Sequence, residues 1–391
     1  ILMKKILTVF LFSALSASLF AGGLVTNTNQ SAMFVRLQSR NGSIAPDAVY
    51  YNPAGLTRLG DGLHLSINNQ VISQTRTITT DYPYLHNSKY TGKVFAPIFP
   101  GIYATYNYKK FAFSFGFNPV GGGGGAKFND GLPMIEMSPS DLVPALSAKG
   151  VTDYRLNEYF EGKSVFFGYQ AGVSYKINEI LSVYAGLRYV TAKNTYTGHM
   201  TGIELYNFGG GGTWTRADAI MTGIATSAST AATSTTGIVN AGYGGLTLAQ
   251  CVSNSIITQG QADALTAGLT ALGGSPTGTT TVSQYNTAFL TYAAKYNASA
   301  TLLGDQSADV TQTGSGIAPI VGVNISLANK LNIGLKYEFK TPLTVTNDTK
   351  ADFITGFTQT GTPVTMFPDG AKTIQDMPAM LAGGFEFRPT G

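Results

Sequence analysis

The side chains that most often perform catalysis are few and scattered in this sequence. It contains three histidines, His64, His86 and His199, and a single cysteine, Cys251. A catalytic nucleophile needs a neighbouring base, and a metal site needs ligands at short spacings. No Ser-His-acid arrangement and no metal-ligand spacing is evident. The sequence therefore indicates no enzyme, no metal and no cofactor, and the function must lie in the elements around these residues.

The composition is unusual for a soluble protein and for a helical membrane protein. Charged residues make up 12% of the 391 residues, against roughly 25% in a typical soluble domain. Glycine (47), tyrosine (21) and phenylalanine (22) are abundant. The net charge of +4 is small and no basic run indicates nucleic acid as a partner. One cysteine excludes an internal disulfide framework.

One long apolar run lies at the start of the chain. Lys4 and Lys5 precede ILTVFLFSALSASLF, and the small residues AGG follow. A basic start, an apolar stretch and a small-residue exit are typical of a secretory signal peptide. The run of about 15 residues is short for a spanning helix, which needs about 20. We predict a signal peptide over 1–21 and export of the mature chain.

Period-two alternation dominates the rest of the chain. In KFAFSFGFN, four phenylalanines face one way while Ala, Ser and Gly face the other. Strands of about ten residues with one apolar face and one small or polar face are typical of a closed transmembrane antiparallel β-barrel. We predict eight strands, near 63–80, 99–108, 111–120, 164–177, 181–196, 317–328, 331–345 and 374–388.

The connections between these strands alternate between short and long. Tight connections lie at YKK (108–110), NEI (178–180) and ANK (328–330). Long ones lie near 81–98, 120–163, 197–315 and 346–372. An outer-membrane barrel has short periplasmic turns and long extracellular loops, so the long connections are predicted to be extracellular.

The longest loop, 197–315, contains two helical patterns, at 261–273 and 285–296. In the second, Tyr285, Phe289, Tyr292 and Tyr296 share one face. This face either packs on its own loop, which we favour, or forms an apolar lip beside an entry groove.

The segment between the signal peptide and the first strand carries the most specific motif. It reads GGLVTNTNQSAMFVRLQSRNGSIAPDAVYYNPAGLT and ends with the turn Asn52-Pro53-Ala54. With Gly22, Gly23, Asn27 and Ala32, this turn resembles the N-terminal pattern of the FadL family of outer-membrane transporters for long-chain fatty acids and other hydrophobic compounds. The resemblance implies that 22–61 forms a hatch inside the lumen of a barrel over 62–391. The alternative is a simple turn into the first strand.

The same resemblance implies an incomplete barrel and a lateral opening. The family has 14 strands, and the chain stops at FEFRPTG, so we expect a C-terminally truncated barrel. An inward kink in strand three would open the wall at Asn118, Pro119, Gly121, Gly122 and Gly123, within FAFSFGFNPVGGGGG. The alternative is that the glycine run begins a flexible loop.

A hydrophobic acid needs an apolar wall and a cation or polar donors for its carboxylate. The inward-facing candidates for the carboxylate are Arg188 on the fifth predicted strand and Lys336 on the seventh, and Lys193 at the upper end of the fifth strand could join them. Each could instead be an ordinary lumen charge, paired for example with Glu338 or Glu386. Four apolar residues are candidates for the wall: Met33, Phe34, Leu37 and Phe166.

The resulting prediction is a monomeric channel in the outer membrane of a Gram-negative bacterium. It would take up long-chain fatty acids passively and release them sideways into outer-membrane lipid. The alternatives are a channel for aromatic hydrocarbons, a porin for polar solutes, and an adhesive barrel whose long loop contacts a partner.

Overall fold

The computed structural model describes residues 26–328 and 330–388. The predicted signal peptide (1–21) and the first residues of the predicted hatch (22–25) lie outside the described residues. The strands are β1 Gly62–Thr79, β2 Lys89–Tyr108, β3 Phe111–Phe128, β4 Asp153–Lys176, β5 Leu181–Tyr206, β6 Trp214–Arg216, β7 Gln306–Leu327, β8 Leu331–Glu338, β9 Thr344–Ala351, β10 Ile354–Phe357, β11 Pro363–Thr365, β12 Lys372–Ile374 and β13 Met380–Phe387.

One curled antiparallel sheet of eleven strands has a main path of eight, in the order β1-β2-β3-β4-β5-β7-β8-β13, onto which β6, β9 and β12 pair. The prediction of an all-β fold with about eight strands is confirmed. The three tight turns lie where the alternation predicts them, between β2 and β3, β4 and β5, and β7 and β8. We call this side of the sheet the turn end, and the side of the long connections the loop end.

The predicted strand limits are wrong at the loop end. β4 begins at Asp153, and β5 continues to Tyr206, where the sequence analysis placed loops. The ladder between β5 and β7 runs as far as Met200 opposite Gln306. Strands that continue beyond an apolar belt need no apolar outer face, so the hydrophobic pattern fades before the hydrogen bonding does. The long connections before β7 are correspondingly shorter than predicted. The last one is longer, because β8 ends at Glu338 and β13 begins at Met380, whereas strands were predicted over 331–345 and 374–388.

The convex face of the sheet is apolar along its whole width. Large hydrophobic side chains at alternate positions of every main strand are exposed, for example Leu63 (70%), Ile98 (74%) and Phe385 (71%). Exposed apolar surface of this extent marks contact with a membrane or a partner. The set includes Leu65, Ile67, Phe95, Tyr106, Phe113, Phe115, Tyr169, Val173, Leu187, Tyr189, Ile317, Val321, Leu335, Tyr337 and Leu381.

The concave face holds residues 26–60, which we call the hatch. It contains helices α1 (Ala32–Arg36) and α2 (Ala48–Tyr51) and a 3-10 helix, Pro53–Arg58. Each of the eight strands of the main path makes a hydrogen bond with the hatch. Because a hatch in contact with every strand must lie at the centre of their curve, the sheet wraps around it.

The loop end carries the remaining helices. They are α3 Pro133–Ser140, α4 Leu142–Ala145, α5 Ala217–Ile238, α6 Leu248–Ser253, α7 Gln259–Ala271 and α8 Val282–Leu302, with short 3-10 helices at Ser147–Lys149 and Phe208–Gly210 and a π-turn at Val239–Tyr243. Among the residues described, no helix is long and apolar enough to cross a membrane.

Helices α5 to α8 pack into a module between β5 and β7. Three of them begin with a capping box, Thr-x-x-Gln, at Thr247, Thr258 and Thr281, in which side chain and backbone satisfy each other's free groups. The two helices predicted within this loop are confirmed. Tyr285 and Phe289 are buried in the core of the module, which favours packing within the loop over an exposed apolar lip.

Candidate functional site

Asn52 joins the hatch to the wall of the sheet. It is buried, and its Nδ2 donates to the backbone oxygen of Ser43 at 3.0 Å and to Asn324 Oδ1 on β7 at 2.8 Å. Asn324 Nδ2 donates in turn to Asn332 Oδ1 on β8 at 2.8 Å, and Asn332 Nδ2 donates to the oxygen of Gly42. The hydrogen bonds of these three amides thus run from the hatch to the wall and back to the hatch.

Pro53 and Ala54 expose their carbonyl groups to the wall. Pro53 is the first residue of the 3-10 helix, a position where its missing N–H and fixed φ are compatible with helical structure. Ser174 Oγ on β4 donates to Pro53 O at 2.7 Å, and Ser182 Oγ on β5 donates to Ala54 O at 2.7 Å. The predicted hatch motif therefore lies inside the curve of the sheet, held by short polar side chains.

The amide of Asn52 gives a direct test of this attachment. Asn52→Ala removes two hydrogen bonds in a buried site and leaves Ser43 O without this donor. We expect the free energy of unfolding to fall by about 1–3 kcal/mol, the usual cost of an unsatisfied buried polar group. Guanidinium unfolding in detergent, followed through Trp214 fluorescence, measures it. The control is Asn87→Ala, at an exposed loop residue. Equal losses in the two variants would contradict the attachment.

Arg188 and Lys336, two of the predicted carboxylate-binding residues, meet at one carboxylate. Arg188 donates to both oxygens of Glu338 at 2.7 and 3.0 Å, and Lys336 Nζ donates to Glu338 Oε1 at 2.5 Å. Arg188 also donates to Gln170 Oε1 at 2.6 Å. Both cations lie over the ring of Tyr50, at 4.9 and 4.4 Å from its centroid. We call these three charged residues the lumen charge cluster.

The lumen charge cluster is almost completely buried and carries a net charge. Arg188, Lys336 and Glu338 are 4%, 3% and 6% exposed. Two cations face one carboxylate, so the cluster carries a net positive charge. Arg188 Nε has no hydrogen-bond partner among the described residues.

Lys193 does not join the cluster, contrary to the sequence-based prediction. Successive residues of a strand point to opposite faces, and Arg188 and Asn194 face inward. Lys193 is therefore on the exposed outer face with Tyr189. Lys193 follows Arg188 by an odd number of residues, and this spacing places the two side chains on opposite faces of β5.

The predicted apolar wall residues separate into two groups. Phe166 is fully buried and belongs to the apolar cluster on the concave face, against which Phe34 packs. Met33 and Leu37, on and after α1, are 42% and 53% exposed. Phe34 and Phe166 therefore share one apolar cluster on the concave face, whereas Met33 and Leu37 are exposed.

The ladder between β2 and β3 is interrupted. Pairing holds from the turn end to Ile102 opposite Phe117, is absent over residues 94–101 and 118–126, and then resumes. We call this stretch the wall gap. It contains all five residues of the predicted lateral opening, and their role as an exit stays a prediction. The glycine run is part of β3 and pairs with β4 through bulges, so the flexible-loop alternative is wrong.

Proline and glycine explain why pairing fails there. Pro97 and Pro100 on β2 and Pro119 on β3 have no N–H to donate to a ladder. Gly122 and Gly124 have φ of +91° and +68°, which only glycine adopts readily and which bends a bulged strand. Pro97 and Pro100 were not among the residues predicted for the opening, although the pattern APIFP indicates a strand that cannot pair fully.

A cavity of about 240 Å³ lies in the wall gap. Its lining includes Asn27 of the hatch, the buried Val94 and the exposed Ile98 of β2, and Phe167 of β4. Arg76 on β1 lies at its edge and donates to Gly123 O at 2.7 Å. Because the lining combines hatch and outer-face residues, the cavity lies within the wall, between the hatch and the outer face.

The start of the hatch closes the cavity from inside. Asn27 N donates to Val120 O on β3 at 2.9 Å. Asn118 Nδ2 donates to Gln30 Oε1 at 2.6 Å, and Asn118 is 2% exposed. These bonds hold residues 27–30 against the inner side of the wall gap.

No protein-family model matches the chain, and no curated protein matches it. Similar solved structures include "CymD monoaromatic hydrocarbon channel" (14% identity, TM-score 0.34), the toluene transporter TodX of P. putida (12%, 0.40) and a Pseudomonas aeruginosa FadL homologue (11%, 0.34). They cover 89%, 88% and 83% of this chain, which spans 61%, 63% and 55% of theirs. The third belongs by its title to the family that the N-terminal motif resembles.

Proposed function

We propose that this protein is an outer-membrane channel for the passive uptake of hydrophobic molecules, which leave sideways through the wall gap. The observation that carries the proposal is the cavity in the wall gap, which joins the hatch to the apolar outer face. A hydrophobic molecule that passes through it enters lipid without crossing water. Transport of this kind needs no catalytic side chain, and we propose no enzymatic activity.

The outer face supports a location in a membrane. In hydrocarbon every backbone polar group must be satisfied internally, which strands achieve by pairing around a barrel. Exposed aromatic and aliphatic side chains at alternate positions are the surface that such a barrel presents to lipid. With the predicted signal peptide, these features support the outer membrane of a Gram-negative bacterium, and we propose a monomer.

The lumen charge cluster favours a long-chain fatty acid as substrate. Its net positive charge attracts an anionic head group, and field effects of this kind raise the local concentration of a charged ligand. Phe34 packs against the apolar cluster that contains Phe166 on the same concave side. A porin for polar solutes fits less well, because the hatch fills the curve of the sheet.

Aromatic hydrocarbons are the second candidate. The cavity of about 240 Å³ lies below the roughly 300–1,000 Å³ of most ligand pockets, and a small aromatic ring fits it better than an extended acyl chain. The hatch residues 27–30 must move before a larger molecule can pass.

Uptake by whole cells tests the proposal and separates the two substrates. The full-length protein is expressed in cells that lack their own transporter, and uptake of labelled palmitate and labelled toluene is measured against cells with an empty vector. We expect palmitate uptake above the control. Toluene uptake alone would assign the hydrocarbon function. Uptake of neither compound would contradict a channel for hydrophobic molecules.

A further inference from the structure

The turn end of the concave face holds a polar cavity that the transport path does not use. Its volume is about 200 Å³. Arg58, the last residue of the hatch's 3-10 helix, forms one side, and Lys330, Arg388 and Glu386 of the wall form the other. The cavity lies at the turn end of the strands, beside the tight turn between β7 and β8. The wall gap, by contrast, extends towards the loop end.

Arg58 presents an unused edge of its guanidinium group. The side chain is 9% exposed, and its Nη1 lies 3.8 Å from Glu179 Oε2, an 84% exposed carboxylate. Its Nε and Nη2 are buried and have no hydrogen-bond partner among the described residues. These two nitrogens form the edge that binds carboxylates and phosphates through two parallel hydrogen bonds. A buried donor pair without an acceptor is costly, so an acceptor that reaches this edge from the adjoining cavity would stabilise the protein.

The charges around the cavity also favour an anion. Arg58, Lys330 and Arg388 supply three cations, and Glu386 is the single carboxylate of the lining. That carboxylate is engaged, because Arg388 Nε and Nη2 both donate to Glu386 Oε1, at 2.9 and 2.8 Å. Arg58 and Lys330 therefore have no carboxylate of the lining to neutralise them.

We propose that this cavity binds an oxyanion, a phosphate or a carboxylate, held by Arg58 Nε and Nη2 and by Lys330 and Arg388. The ligand connects the last turn of the hatch to the β7–β8 turn and to the end of β13. The bound anion therefore holds the hatch against the wall. This site is independent of the substrate that the channel carries.

Calorimetric titration of inorganic phosphate into the full-length protein, in non-ionic detergent at low ionic strength and pH 7, tests the site. We expect saturable binding at one site, weakened by added salt because the contacts are between charges. Arg58→Gln is expected to raise Kd about tenfold or more, and Lys330→Gln to raise it less. Arg155→Gln, at a 54% exposed arginine paired with Glu204 at the loop end, is the matched control and should bind as the wild type does.

Acetate competition identifies the class of anion. Displacement of phosphate by acetate extends the site to carboxylates, and its absence assigns the site to phosphates. The proposal is overturned if neither anion binds saturably, or if Arg58→Gln binds phosphate as tightly as the wild type. If Arg58→Gln does not fold, Lys330→Gln decides, since Lys330 is exposed and its replacement leaves the packing unchanged; unaltered affinity in that variant would also overturn the site.

Discussion

Glu338→Gln is expected to lower the free energy of unfolding by about 3–5 kcal/mol, the cost of leaving buried charges without their partner. Glu338 accepts hydrogen bonds from both Arg188 and Lys336, and all three side chains are nearly inaccessible to water. The neutral amide leaves two buried cations side by side with no carboxylate. Guanidinium unfolding of the full-length protein in detergent measures the loss.

The control for this variant is Glu179→Gln. Glu179 also makes an ion pair, with Lys176 at 2.8 Å, but its side chain is 84% exposed. Exposed ion pairs contribute about 0–1 kcal/mol, so this change should be nearly neutral. The double variant Glu338→Gln/Lys336→Gln restores the original net charge and should recover part of the loss. A loss in Glu338→Gln no larger than in Glu179→Gln would refute the lumen charge cluster as a stabilising element.

Gly123→Phe is expected to reduce uptake of the transported compound to about a tenth of the wild-type rate or less, a change equivalent to about 1.4 kcal/mol. Gly123 lines the cavity of the wall gap. A side chain added there meets only the end of Arg76, whose Nη2 would lie 3.1 Å from the new Cβ. Because the arginine is flexible and the φ of Gly123 is compatible with other residues, a Cβ is accommodated there, and we expect the ring to occupy the cavity. Whole-cell uptake of labelled palmitate and toluene measures the effect.

Gly223→Phe makes the same chemical change outside the wall gap. Gly223 lies on α5 of the loop-end module, and a Cβ there meets nothing within 4 Å. This variant should transport at the wild-type rate, and both variants should reach the membrane in equal amounts. Full uptake in Gly123→Phe would show that the wall gap is not the exit.

Sequence alone determined which face of each main strand is apolar and the position of the tight turns. Alternation in stretches such as KFAFSFGFN is a local property, because the period of a strand forces neighbours onto opposite faces. The buried position of Asn52, Pro53 and Ala54 agrees with the motif from which the hatch was predicted. Lys193 could also have been placed correctly from its odd spacing to Arg188.

Tertiary structure decided the contacts between distant segments. Arg188 and Glu338 are 150 residues apart, and their pairing depends on β4, β5, β7 and β8 curving around Tyr50. The wall gap arises because Pro97 and Pro100 of β2 lie across from the glycine run of β3. That relative position is set by the pairing of the whole β2–β3 hairpin. The unused edge of Arg58 appears only when the hatch is folded against the wall. Local periodicity thus predicts which face a residue takes, whereas the charge partners and cavities arise from long-range packing that the pattern of a single strand does not contain.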